Sequence, residues 1–104
     1  MKRGEVWWVN FPAPAGRRPA VLVSRNQAYR VRAAVTVVPL TRTIRSIASE
    51  VPVGPPDGVA RTSVANADDV TTVPKARLEE YLTTLSPAKL AGLDRAIKFS
   101  LDLT

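Results

Sequence analysis

Whatever chemistry this chain performs falls to a short list of side chains. Its 104 residues include no histidine and no cysteine, which removes the usual general base, thiolate nucleophiles, disulfides and a conventional zinc site. The carboxylates are scattered, apart from Asp68-Asp69 and Glu79-Glu80. Adjacent residues on a strand face opposite sides, so Asp68-Asp69 makes a poor metal pair and reads as a turn. Glu79-Glu80 reads as the solvated face of a short helical turn. A magnesium-dependent nuclease is therefore not expected, and neither a metal nor a cofactor is implied. What remains is arginine and hydroxyl. In Gly16-Arg17-Arg18-Pro19, Pro19 pushes Arg18 into an extended conformation, and a guanidinium is a permanent planar fork of donors that matches phosphate. Thr41 closes the run Val38-Pro39-Leu40-Thr41. A guanidinium and a hydroxyl at neighbouring strand mouths suffice to hold a phosphate and to stabilise its extra charge in a transition state. The same arginines also fit a solvated basic turn.

The elements that must position these groups are short. Glu5 to Phe11 is rich in aromatic and β-branched residues and predicts a strand; Pro12 to Gly16 is a proline-punctuated loop. Ala20 to Ser24 and Ala34 to Thr41 predict two more strands, the second with Pro39 at an edge or bulge because proline cannot donate to a ladder. Arg25 to Arg32 is irregular, with room for a short turn, and Thr41 to Ser49 is a polar loop carrying Arg42 and Arg45. Glu50 to Val53 predicts a short edge strand, Gly54 to Gly58 a turn, and Thr62–Ala67 and Val70–Val73 two further strands around Asp68-Asp69. Lys75 to Leu82 predicts a short helical turn. Ser86 and Pro87 form an N-cap and first helical position. Leu90, Leu93, Ile97 and Leu101 then follow on one stripe, with Asp94 and Lys98 as an i,i+4 pair on the other side. Strands followed by one terminal helix imply a single domain over residues 1–104, mainly β, built on a small and strongly curved antiparallel sheet.

Apolar content of 45% argues against disorder. No apolar run approaches membrane-spanning length, and Met1-Lys2-Arg3-Gly4-Glu5 lacks the apolar core of a signal peptide, so a cytoplasmic protein with no membrane partner is expected. The net charge of +6 is unevenly placed: residues 1–45 hold nine Lys/Arg against Glu5 alone, whereas residues 46–104 hold six basic and eight acidic residues. The basic half, +8 and almost all arginine, favours a polyanion bound on one face.

Five stretches taken together resemble one family. Arg3-Gly4-Glu5-Val6-Trp7, Gly16-Arg17-Arg18-Pro19-Ala20-Val21-Leu22-Val23-Ser24, Val38-Pro39-Leu40-Thr41, Thr62-Ser63-Val64 and Val70-Thr71-Thr72-Val73-Pro74-Lys75-Ala76-Arg77-Leu78 are similar, in order and spacing, to the motifs of MazF/PemK toxins of bacterial toxin–antitoxin pairs. The resemblance implies an SH3-like β-barrel with a C-terminal helix, usually a homodimer. It implies metal-independent, sequence-selective cleavage of single-stranded RNA by 2′-OH attack, leaving a 2′,3′-cyclic phosphate and a 5′-OH. The catalytic arginine and threonine fall on Arg18 and Thr41, and a substrate-contacting serine falls on Ser63. Arg17, Arg42 and Arg45 then stand ready for flanking phosphates, and the loops Pro12–Gly16 and Thr41–Ser49 for base selection. An antitoxin partner with an acidic, poorly ordered segment is implied as well. The chain departs from the family pattern in its short Pro12–Ala15 loop, in Asp69 where a glutamine is common and in Thr71 where an arginine is common. Two other readings stand beside this one: a toxin of the same fold that binds DNA gyrase without cleaving nucleic acid, and a non-catalytic RNA-binding barrel.

Overall fold

A computed structural model describes residues 1–104. Seven strands form one antiparallel sheet: β1 (Glu5–Asn10), β2 (Arg17–Leu22), β3 (Ala34–Thr41), β4 (Glu50–Val53), β5 (Ser63–Asn66), β6 (Thr71–Pro74) and β7 (Leu78–Thr84). Two helices, α1 (Ala28–Val31) and α2 (Pro87–Ser100), complete the fold, with single 3-10 turns over Pro55–Asp57, Ala67–Asp69 and Lys75–Arg77. The strands run in the order β4-β5-β3-β2-β1-β7, and β6 pairs with the first half of β3. This is the expected mainly β fold with a C-terminal helix, curled in the manner of a small barrel. It stays open, because β4 and β7 share no ladder. A side chain spans the seam instead: Thr83 Oγ1 in β7 donates to the carbonyl of Asp57 at 3.0 Å. Gly58 beside it has φ of 91°, and a Cβ there would meet Thr83.

The central strands are apolar on both faces because both faces are covered. Val6, Val21, Val38 and Leu40 pack with Leu93 and Ala96 of α2 in the larger core. Val9, Ala20, Leu22, Val35 and Val37 pack with Phe11, Tyr29 and Val73 in the smaller one. A continuous run such as Ala20-Val21-Leu22, fully buried in the structure, is the pattern such a strand requires.

Pro39 lies inside β3, a central strand, and not at an edge. The amide of Val23 donates to Thr36, so by alternation residue 39 turns its nitrogen away from β2, toward the edge that β6 and β5 share. There the ladder is already broken: β6 ends opposite Val37 and β5 begins opposite Leu40. The missing donor falls in that gap.

Other expectations are corrected by long-range pairing. β2 starts at Arg17, three residues before the apolar run, because Arg17 and Arg18 pair with Asn10 and Val9. The helical turn expected over Lys75–Leu82 is confined to Lys75–Arg77, and Leu78–Thr84 is an edge strand on β1. Glu79 and Glu80 therefore sit on a strand. The cap is as expected, Ser86 Oγ accepting from Lys89 N at 3.1 Å, and Leu90, Leu93 and Ile97 face the larger core. Leu101 lies beyond the helix and is exposed. Asp94 pairs with Arg3 Nη2 at 2.6 Å instead of with Lys98, and Arg3 Nε also donates to Val23 O, pinning the N-terminus to α2. Asp68 accepts from Ser100 Oγ and Ser49 Oγ, each at 2.7 Å. Those hydroxyls, Ser100 first, hold its carboxyl below its ordinary value.

Candidate active site

The β2–β3 register aligns Ala20 with Pro39 and Val21 with Val38. Continued by two residues, it sets Arg18 across from Thr41 on one face, at the lip where both strands leave the sheet. Pro19 holds Arg18 extended from the following position, and the buried Ala20-Val21-Leu22 run anchors it. Arg18 Nη2 donates to Ala15 O at 3.1 Å, so the loop before β2 fixes one arm of the fork. The Nε of the same side chain is buried and has no hydrogen-bond partner. A buried donor left unpaired is costly, and a ligand oxygen is what would satisfy it. Thr41 Oγ1 accepts from Thr43 N at 3.2 Å, leaving its hydroxyl proton available.

A cleft of about 760 Å³ opens at this lip. Five of the six residues singled out in the sequence line it: Arg17, Arg18, Thr41, Arg42 and Ser63. Ser63 is buried and donates to Arg61 O at 3.0 Å. Arg45 does not line the cleft. Its loop folds back on Glu50, whose buried carboxylate accepts from the amides of Arg45 (2.8 Å) and Ser46 (3.0 Å), with Arg45 Nη1 3.8 Å from the second oxygen. Two lining residues, Arg61 and Trp8, escaped sequence reasoning. Arg61 was legible only as the neighbour of Thr62-Ser63-Val64, and Trp8 as an aromatic in a strand that other residues explained.

Arg17 and Arg18 are neighbours in an extended strand, so they leave opposite faces. Arg17 stacks on Trp8, 4.2 Å from the ring centroid, and pairs with Glu79 (2.7 Å) and Glu80 (3.5 Å). Both acids reach it because the β1–β7 register shifts between Trp8 and Val9, leaving Glu79 as the extra residue. Arg18, Arg42 and Arg61 have no carboxylate within ion-pair distance, and no acidic residue lines the cleft. The site is thus a basic groove with a fixed guanidinium fork and the hydroxyls of Thr41, Thr43 and Ser63, suited to a phosphodiester. It lacks the carboxylates with which proteins usually hold a catalytic divalent cation.

The sequence matches the family model described as PemK-like, MazF-like toxin of type II toxin–antitoxin system over residues 2–101. It is 41% identical over 102 residues to a Mycobacterium tuberculosis protein named probable endoribonuclease MazF5, covering 96% of this chain and 92% of that one. It is 36% identical over 91 residues to one named probable endoribonuclease MazF2 from the same species, covering 86% and 87%. Among solved structures, a mycobacterial endoribonuclease in complex with its cognate antitoxin superposes with a TM-score of 0.88 at 34% identity, covering 100% of this chain and 97% of that one. A family match across nearly the whole length joins a shared fold and a basic cleft at the expected motifs: the chain belongs to the PemK-like, MazF-like toxins of type II toxin–antitoxin systems.

Proposed function

We propose that residues 1–104 act as one toxin domain that cleaves single-stranded RNA in the cytoplasm without a metal, and that a cognate antitoxin silences it. The observation that carries this reading is the buried, unpartnered Nε of Arg18 beside Thr41 in a cleft free of carboxylates. In the proposed reaction the ribose 2′-oxygen attacks the adjacent phosphorus and the bond from phosphorus to the 5′-oxygen breaks. The proton leaves the 2′-hydroxyl and a proton is delivered to the departing 5′-oxygen. The products are a 2′,3′-cyclic phosphate and a 5′-OH, with no water consumed. Arg18 neutralises the charge that builds on the phosphate oxygens, a task for a permanent cation and not for a base. Thr41 orients the same phosphate by hydrogen bonding. Arg17, Arg42 and Ser63 hold flanking RNA and Arg61 joins them, while Arg45 serves its loop through Glu50. The family resemblance suggests that the working unit is a homodimer.

The test is cleavage of a mixed RNA pool in EDTA with the product ends mapped, beside a strand carrying a single 2′-deoxy substitution 5′ to the cut. Cyclic-phosphate and 5′-OH ends, undiminished by EDTA and abolished by the deoxy substitution, are expected. Activity lost in EDTA, or cleavage of the deoxy strand, overturns the mechanism. Binding without cleavage favours the non-catalytic barrel, and inhibition of DNA gyrase without RNA cleavage favours the gyrase-binding alternative.

A further inference from the structure

A second, smaller cavity of about 190 Å³ adjoins the site, lined by Phe11, Ala15, Arg18, Pro39, Asp69 and Thr71. Arg18 alone lines both cavities. Most strand residues of the large cleft stand on one face of the sheet, and the small cavity lies on the other, from which Arg18 and its cross-strand neighbour Thr41 project. Arg17, Pro19 and Leu40 of the large cleft belong to the α2 side. By strand alternation Arg18, Pro39 and Thr71 share the face of Ala20 and Val37, which pack in the smaller core. A polynucleotide whose phosphate rests on Arg18 therefore crosses the lip of the sheet, and the nucleoside on its far side meets the second cavity.

The walls say what that cavity takes. The Phe11 and Pro39 rings and the Ala15 methyl offer apolar surface, as a flat ring requires. Asp69 supplies a carboxylate that pairs with no cation. Its Oδ2 accepts from Asn66 Nδ2 at 3.1 Å, which holds the side chain in place and leaves Oδ1 without a hydrogen bond. A second phosphate is disfavoured beside that charge, whereas a neutral base that donates to it is favoured. Guanine presents two adjacent donors on its Watson–Crick edge, N1–H and the N2 amino group, and a carboxylate accepts both. Cytosine and adenine offer one amino donor next to a ring-nitrogen acceptor, and uracil one imino donor between two carbonyls. Each of those sets an acceptor against the carboxylate. The Thr71 hydroxyl remains for the O6 of guanine.

We infer that this cavity is a guanine subsite, with Asp69 the specificity-determining residue for the base adjoining the scissile phosphate. The inference rests on the RNA-cleaving reading, so its test includes an arm that needs no cleavage. Cut sites are mapped on a randomised RNA pool for the wild type, Asp69→Asn and Asp69→Ala, and the affinity of short 2′-deoxy-blocked oligonucleotides is measured with guanosine or inosine at the adjoining position. Wild-type cuts are expected to be enriched in guanine at one of the two positions flanking the break. Asp69→Asn, which presents a donor and an acceptor, is expected to lower that enrichment about tenfold or more and to admit cytosine or adenine. Inosine, which lacks the N2 amino group, is expected to bind the wild type less tightly than guanosine and Asp69→Ala equally. Absence of guanine preference at both flanking positions, or a preference that survives both substitutions, overturns the subsite. If the wild type cuts nothing, the function falls separately and the guanosine–inosine comparison still decides the subsite. Asp69 is exposed and asparagine keeps an acceptor for Asn66, so the variant folds; should circular dichroism show otherwise, the inosine arm on the wild type gives the answer.

Discussion

Arg17 and Arg18 have different electrostatic surroundings although they are adjacent. Arg17 is answered by Glu79, Glu80 and the Trp8 ring; these groups are half-exposed, so the ion pairs contribute no more than about 1 kcal/mol. Arg18 keeps an unanswered fork, tied down only through Ala15 O. Replacing Arg18 with alanine is expected to slow single-turnover cleavage about 10²–10³-fold, the usual cost of one donor to a developing oxyanion. Circular dichroism should stay unchanged, since the guanidinium sits at the lip of the sheet and outside either core. Arg18→Lys should not restore the rate, because a point charge cannot stand in for a planar fork. A near-wild-type rate in Arg18→Ala would remove Arg18 from the chemistry.

At the scale of elements, the C-terminal helix is held at its middle and at its C-terminal end by groups far away in sequence. Arg3 grips Asp94 on the body of α2, and Ser100 at its last turn donates to Asp68 in the turn after β5. The Asp68 carboxyl is held below its ordinary value of 3.8 by Ser100 and then Ser49. A carboxyl whose folded pKa is lowered stabilises the fold fully above its unfolded value and loses that contribution as pH falls through the lowered one. Melting temperatures followed from neutral pH down through the carboxylate range should therefore drop in acid. Asp68→Asn, or Ser100→Ala together with Ser49→Ala, should be less stable at neutral pH and should flatten that acid limb. An acid limb of the same depth in Asp68→Asn would place the titrating group elsewhere.

Across the whole molecule, four arginines gather at the cleft, three of them from the basic first half of the sequence. The arginines of the cleft come from β2, from the loop after β3 and from the stretch before β5, and a net charge of +6 carries them. An acidic antitoxin segment that folds across this cleft would occupy phosphate positions, so it should compete with RNA, and its association should be faster at low salt. Titrating such a peptide against bound, uncleavable 2′-deoxy substrate should displace the RNA. Saturating peptide that stops cleavage while RNA affinity stays unchanged would show that the two do not share the cleft.

Much of this was legible in the residues alone. β-branched runs marked the central strands because each is buried on both faces. Ser86-Pro87 and a 3.6-residue stripe marked α2. Pro19 after Arg18 and the run ending in Thr41 marked the candidate site, because local backbone restriction and side-chain type are properties of a few consecutive residues. The polar Leu78–Thr84 was not legible as a strand: it lies at an edge, pairs only with β1 and buries too little to show an alternation. The partners of Arg3, 91 residues away, and of Arg17, 62 residues away, follow from register and a bulge that no local pattern encodes. Tertiary structure alone likewise set Arg61 and Trp8 into the cleft, turned Arg45 out of it and put Asp69 on the far side of Arg18. Strand pairing chooses which distant residues become neighbours, and the sequence declares only which of them are able to use the position.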